Sequence, residues 1–214
     1  MKLRTLATLS ALFLTACGRQ QPDEKAKAES GPPPEVYRVN LDTTKGAIVV
    51  EVTRAWAPRG ADRFYELVQK KFYDGGRFYR VVPRFVVQFG LKGDPATDRT
   101  WSQISIPDDP VKQNNVRGTL SFAMAGPASR TTQVFVNLQD NTRLDGMGFA
   151  PFAKVVSGME VVEQLYKFYG DAPPSGVGPE QSRIREEGNE YLERYFPRLD
   201  YIKTATVVTS SSKP

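Results

Sequence analysis

The sequence predicts a mainly β fold carrying a few helices, and three stretches predict it. Tyr37, Val39 and Leu41 alternate with Arg38, Asn40 and Asp42, the period of two that turns successive side chains to opposite faces of a half-buried strand. Ala47 to Val52 is rich in β-branched residues, and so is the closing stretch Tyr201 to Val208.

Taken in order, Thr44-Lys45-Gly46 supplies a turn that makes the first two strands a hairpin. Pro58 suits the first turn of a helix, and Ala61, Phe64, Tyr65 and Val68 recur at helical spacing up to about Lys71. Gly75-Gly76 ends that unit, and Arg77 to Val82 and Arg84 to Phe89 read as strands around Pro83. Gly90 to Arg117, with Gly93-Asp94-Pro95, Pro107 and Pro110, reads as a long surface loop. A further strand pair lies in Gly118 to Pro127 and Gln133 to Asn137. Ser157-Gly158-Met159-Glu160 has capping-box spacing ahead of an apolar stripe of Val161, Val162, Leu165 and Tyr166, which predicts a second helix. Pro173-Pro174 opens another loop, and Ile184, Gly188, Tyr191, Leu192 and Tyr195 predict a third helix. Many strands with two or three helices between them suit a β-rich barrel, but periodicity alone selects no topology.

Composition removes whole classes of chemistry. The 214 residues include no histidine and one cysteine, so Ser-His and Cys-His nucleophiles and histidine-ligated metals are unavailable. The net charge of +5 falls to +3 without Lys2 and Arg4, and the basic residues are dispersed among acids rather than gathered into a nucleic-acid-binding stripe. Asp108-Asp109, Asp140 and Asp145 do not have the spacing of a calcium loop and read as loop residues. No cofactor or metal is expected.

The first residues read as an export signal. Lys2 and Arg4 precede an apolar run from Leu6 to Leu14, and Thr15-Ala16 is a small-residue cleavage region, so residues 1–16 are expected to be a signal peptide. Leu14-Thr15-Ala16-Cys17-Gly18 resembles the bacterial lipobox, which implies lipidation of Cys17, the only cysteine of the chain. Residues 17–35 are expected to be a disordered tether, since Gln, charged and Pro-rich segments hold too few apolar side chains to pack. Residues 36–209 form the expected folded domain and 210–214 a tail; the protein is expected in the cell envelope, periplasm-facing and lipid-anchored, as a monomer.

The chemistry concentrates in Phe78 to Gln88, where apolar residues are interrupted by the guanidinium of Arg80 and the amide of Gln88. With Gly118 to Pro127, Gln133 to Asn137, Phe72-Tyr73-Asp74-Gly75, Leu144-Asp145-Gly146 and Phe152 to Met159, this stretch resembles the cyclophilins, a family of peptidyl-prolyl cis/trans isomerases. The resemblance covers Tyr37 to Val208. It implies a closed barrel of eight antiparallel strands capped by two helices, to which this chain adds an extra helix near its C-terminus. It also implies an activity that accelerates X-Pro rotation in exported or unfolded proteins.

Twisting a prolyl amide crosses a barrier of about 18 to 20 kcal/mol with no bond made or broken, so no nucleophile is needed. By resemblance Arg80 is the catalytic arginine and Gln88 bonds the substrate backbone. Phe85, Val86, Phe135 and Leu144 match the proline pocket, Ala123, Met124 and Ala125 the rim that pairs with the peptide, and Gln133 a further rim residue. Singly, each apolar residue reads better as core packing and only the set on matching motifs reads as the pocket, while Gln133 reads nearly as well as a solvent-facing strand residue. Proline-containing polypeptides are the implied partners.

The chain departs from the family at Tyr79, where histidine is common, at Val86, where methionine is frequent, and across Phe89 to Gly93. Arg143 stands where many members carry a tryptophan, which implies weak cyclosporin binding, and Gly170 to Leu199 is longer than in minimal members, with no role legible in it. A peptide-binding or chaperone lipoprotein without turnover, and an adhesion lipoprotein using the fold as scaffold, are the competing readings.

Overall fold

In the computed structural model, eight strands form one antiparallel sheet in the order β3-β4-β6-β5-β7-β2-β1-β8, curled into a half-barrel. The structure describes residues 32–208. The expected signal peptide, Cys17, most of the tether and the 210–214 tail lie outside the described residues.

Strands β1 (Val36–Thr43) and β2 (Gly46–Thr53) form the expected hairpin, in register from Val36 opposite Thr53 to Thr43 opposite Gly46. Their inward residues Val39, Leu41, Ile48, Val50 and Val52 are all buried, as the period of two requires. Helix α1 (Pro58–Gln69) turns Ala61, Phe64, Leu67 and Val68 onto the sheet, and the Tyr37 hydroxyl donates to the Ala61 carbonyl at 2.6 Å, tying β1 to the helix. β3 (Arg80–Val82) and β4 (Val86–Phe89) flank a tight turn in which Arg84 takes a positive φ of 56°.

The residues between β4 and β5 (Thr119–Phe122) are more than the expected loop, since they include helix α2 (Pro95–Ser102). Asp94 caps it, accepting from the Thr97 amide at 2.8 Å. Asp109 in this segment also supplies what α1 lacks. The α1 cap residue Ala57 has no side-chain acceptor, and the Asp109 carboxylate takes the Arg59 and Gly60 amides at 3.1 and 2.9 Å.

After β6 (Val134–Asn137), a 3-10 turn over Thr142–Met147 leads to β7 (Pro151–Ser157) and α3 (Met159–Gln164). The expected capping box at Ser157 does not form. Gly158, at φ 86°, is the cap residue, with no side-chain hydrogen bond, because Ser157 is still paired in the sheet, opposite Val49. The expected third helix is two, α4 (Gln181–Glu187) and α5 (Asn189–Tyr195), broken at Gly188. There φ is +67° and a Cβ would lie 2.6 Å from the Gly93 carbonyl oxygen, so only glycine allows the approach. Five helices and a 3-10 turn thus stand, among the described residues, where two caps and one extra helix are expected.

The strand ladder does not close. It ends at β3 and at β8 (Ile202–Val208), and between these edges the described residues show only an isolated bridge, Arg77 to Tyr201. All three residues of β3 pair with β4.

Two apolar clusters accompany the main core. One joins Tyr79 and Leu91 to Ile184, Tyr191, Leu192 and Leu199, and so seats α4 and α5 on the body. The other is small and lies on the outer side of the sheet: Val86, Phe135 and Leu144, with Phe85, Ala123 and Phe149 against them.

Candidate functional site

The third cluster is the floor of a cleft of about 690 Å³. Register explains why these residues meet. β4 lies between β3 and β6, so Gln88 stands opposite Arg80 on one side and Phe135 on the other. The apolar end consists of Phe85, Val86, Phe135, Leu144 and Phe149, with the Phe135 and Phe149 rings edge to face at 5.6 Å. Ala123, Met124 and Ala125 run along the rim, where the Ala123 amide already donates to the Gln133 carbonyl at 2.9 Å.

All ten residues that the sequence assigns to a catalytic or substrate-binding role in the folded domain line this one cleft, while Cys17 lies outside the described residues. Phe149 is missed by sequence reasoning. Its aromatic ring five residues past Leu144 is the signal that could have found it, since the 3-10 turn brings the Phe149 amide back to the Leu144 carbonyl at 3.2 Å.

The polar wall is a continuous hydrogen-bond chain. The Tyr79 hydroxyl donates to Gln133 Oε1, which also accepts from Gln88 Nε2 at 3.0 Å. Gln88 Oε1 accepts from Arg80 Nη1 at 3.2 Å. Gln133, only 9% exposed, is therefore a buried junction rather than a solvent-facing strand residue. Burial pushes the Tyr79 hydroxyl well above its ordinary range, so it remains a neutral donor.

Arg80 has a second partner that sequence reasoning also misses. Asp171 accepts from Arg80 Nε at 2.9 Å and from Nη2 at 2.7 Å, a side-on fork. Asp171 is fixed in turn by the Ala172 amide donating to Oδ1 and the Gly178 amide donating to its carbonyl, at 2.8 and 2.7 Å. A guanidinium carries five N–H donors, so three commitments leave two for a ligand. The same guanidinium lies 5.5 Å from the centre of the Phe85 ring, at the mouth of the apolar end.

The arrangement suits a group that is apolar on one side and needs a hydrogen bond on the other. Among the described residues no cluster of histidine, cysteine or carboxylate side chains could hold a metal ion.

Comparison with known proteins gives one answer. The family model for cyclophilin type peptidyl-prolyl cis-trans isomerases matches residues 38–185. A peptidyl-prolyl cis-trans isomerase of Acinetobacter baylyi is 34% identical over 152 residues, 67% of this chain and 77% of that protein. Peptidyl-prolyl cis-trans isomerase A of Dickeya dadantii is 35% identical over 156 residues, 67% and 76% of the two chains. In fold, the chain is similar to the crystal structure of a Cryptosporidium parvum cyclophilin type isomerase, with a TM-score of 0.60 at 18% identity, over 82% of this chain and 99% of that one.

Proposed function

Since this chain belongs to the cyclophilin type peptidyl-prolyl cis-trans isomerases and is an enzyme of that class, we propose that the Arg80 cleft is where it grips proline and turns the bond before it. The observation that carries the reading is the guanidinium of Arg80 at the mouth of an apolar pocket, with two N–H donors uncommitted.

In this reading the proline ring enters between Phe85, Phe135, Leu144 and Phe149, with Val86 beneath. Ala123, Met124 and Ala125 pair with the peptide backbone, and Gln88 and Gln133 hold its polar groups. As the amide twists, its nitrogen loses resonance and gains a basic lone pair, which Arg80 stabilises by donation, so the contact is stronger in the twisted state than in either planar one. A charge-assisted hydrogen bond supplies roughly 1.5 to 3 kcal/mol, about 10- to 150-fold in rate. Loss of water from the amide and binding of flanking residues supply the remainder.

The test is exchange spectroscopy on an Ala-Pro peptide; the Cryptosporidium protein was also crystallised in the presence of the dipeptide Ala-Pro. The wild-type chain should accelerate cis/trans exchange and Arg80→Ala should lose most of that acceleration. An Arg80→Ala variant as fast as wild type would remove the proposed mechanism.

The sequence supports a further reading of setting: residues 1–16 are a signal peptide, Cys17 carries acyl chains, and the domain acts on exported or unfolded polypeptides as a monomer at the cell envelope. Several chains anchor stably where one does not, because each buried methylene contributes about 0.8 kcal/mol. Labelled palmitate should enter the wild-type chain and not Cys17→Ala, which should leave the membrane fraction.

A further inference from the structure

The lining of the cleft contains two arginines and no carboxylate, and only one of the two is neutralised. Arg80 has Asp171. The other, Arg185, projects from α4 together with Gln181, one helical turn away on the same face, while the intervening Ile184 is buried in the cluster that seats the helix. Arg185 is half-buried, and among the described residues it has no ion pair. Asp98 feels its charge, but both Asp98 oxygens are taken, by the Lys92 and Gly93 amides at 2.7 and 2.9 Å.

A half-buried guanidinium that no carboxylate contacts directly is a cost to the folded protein that an anionic ligand relieves. Arg143 adds to the field: it stands over the Phe85 ring at 5.1 Å, exposed and likewise without an ion pair among the described residues. Arg84 is exposed in the turn beside it.

We infer that the cleft selects proline peptides carrying an acidic side chain two or three residues from the proline, with Arg185 as the residue that reads it. This rests on the isomerase reading of the same cleft and names its substrate class. Arg185 lines the same cleft, and its charge acts on Tyr79, whose hydroxyl donates to Gln133, two residues along the wall from Phe135. Two extended residues span about 7 Å, so a bound extended peptide with its proline at Phe135 brings the side chain two residues away level with Gln133, and the length of the Arg185 side chain extends that reach to a third.

The test compares exchange rates for peptides built on Ala-Pro with Glu, Gln or Lys placed in turn at each position up to three residues on either side, using the full chain. The expected result is a kcat/KM for Glu over Gln of roughly three- to tenfold at one of these positions, the scale of a partly desolvated charge pair. The ratio should shrink in high salt, collapse toward one in Arg185→Gln and reverse in favour of Lys in Arg185→Glu. Glu and Gln peptides accelerated equally at every position would overturn the inference, as would a Glu preference unchanged in Arg185→Gln. No acceleration of any peptide would instead overturn the isomerase reading beneath it, so the two failures are distinct.

Discussion

Asp171 grips Arg80 through both carboxylate oxygens, at 2.9 and 2.7 Å, and it does so from a segment that has no legible role in the sequence. The pair is partly shielded, with the two side chains 23% and 29% exposed. A guanidinium held on its Nε side and tethered by Gln88 at Nη1 has little freedom to rotate, so its remaining donors point one way without an ordering cost at each turnover. Asp171, in the stretch from Gly170 onward, therefore holds the Arg80 guanidinium in one orientation at the mouth of the cleft, as the proposed mechanism requires.

The first prediction follows from that geometry. Asp171→Asn keeps the shape and loses the charge of the fork while its Oδ1 still accepts one of the two bonds, so kcat should fall by roughly three- to thirtyfold, less than the about 10- to 150-fold of a whole charge-assisted bond, with KM changed less. Asp171→Glu, which restores the charge, should recover part of the loss. Equal activity of wild type and Asp171→Asn by exchange spectroscopy would show that the pair does not position the arginine.

The second prediction concerns pH. There is no histidine, the Tyr79 hydroxyl is pushed far up by burial, and the Arg80 guanidinium holds the Asp171 carboxyl below its ordinary range. For a carboxylate whose folded pKa is depressed, the contribution to stability is present above the unfolded value, about 3.9, and disappears as pH falls through the lower folded value. The Arg80–Asp171 pair should thus persist until the solution is more acidic than that. kcat/KM should be flat from about pH 5 to 9, and a limb near neutrality in the measured profile would demand a titrating group that the cleft does not contain.

The third prediction concerns Asp109, whose carboxylate caps α1 from fifty residues downstream and also accepts from Arg130 Nη1 at 3.1 Å. Both side chains are almost wholly buried, at 1% and 3% exposure. Asp109→Ala leaves two helix amides without their acceptor and takes one partner from the buried Arg130 guanidinium, which keeps the Pro107 carbonyl and Asp108, so the loss should approach but not exceed the about 3 to 5 kcal/mol of a broken buried pair. Urea denaturation should show a loss of about 2 to 4 kcal/mol without a change in slope; a loss under about 1 kcal/mol would mean that Asp108 and the Pro107 carbonyl are enough for Arg130 and that water serves the two helix amides.

What was legible in the sequence was local. Alternation marks β1 and β2 because each strand buries one face, and Pro58 marks the start of α1. The cleft residues were legible as motifs, since Phe78 to Gln88 keeps its arginine, its amide and its apolar positions at fixed spacing. Asp171 and the Asp109 cap were not, because each acts across a separation of 91 and 49 to 50 residues that no local pattern encodes. Gln133 illustrates the middle case: its place beside a strand was readable, as the residue just ahead of β6, but its burial depends on Tyr79, just ahead of β3 and two strands away in the sheet. Helix α2 was hidden because a proline- and glycine-rich run reads as loop, although Asp94-Pro95 is also a cap followed by a first helical residue.

The last prediction separates two jobs of Tyr79. Its ring belongs to the cluster that seats α4 and α5, and its hydroxyl ends the chain through Gln133 and Gln88 to Arg80. The ring supplies the apolar floor on which Tyr191 and Leu192 rest. Tyr79→Phe deletes only the hydroxyl and leaves Gln133 Oε1 with one donor, so it should cost about 1 kcal/mol and lower activity severalfold at most. Tyr79→Ala removes the ring, at about 3 to 5 kcal/mol for a large buried aromatic, and should loosen α4 and α5 and with them Asp171. Hydrogen exchange would then rise in residues 181–195 in the alanine variant and not in the phenylalanine one. Equal protection in both variants would mean that the segment is held by contacts other than this ring.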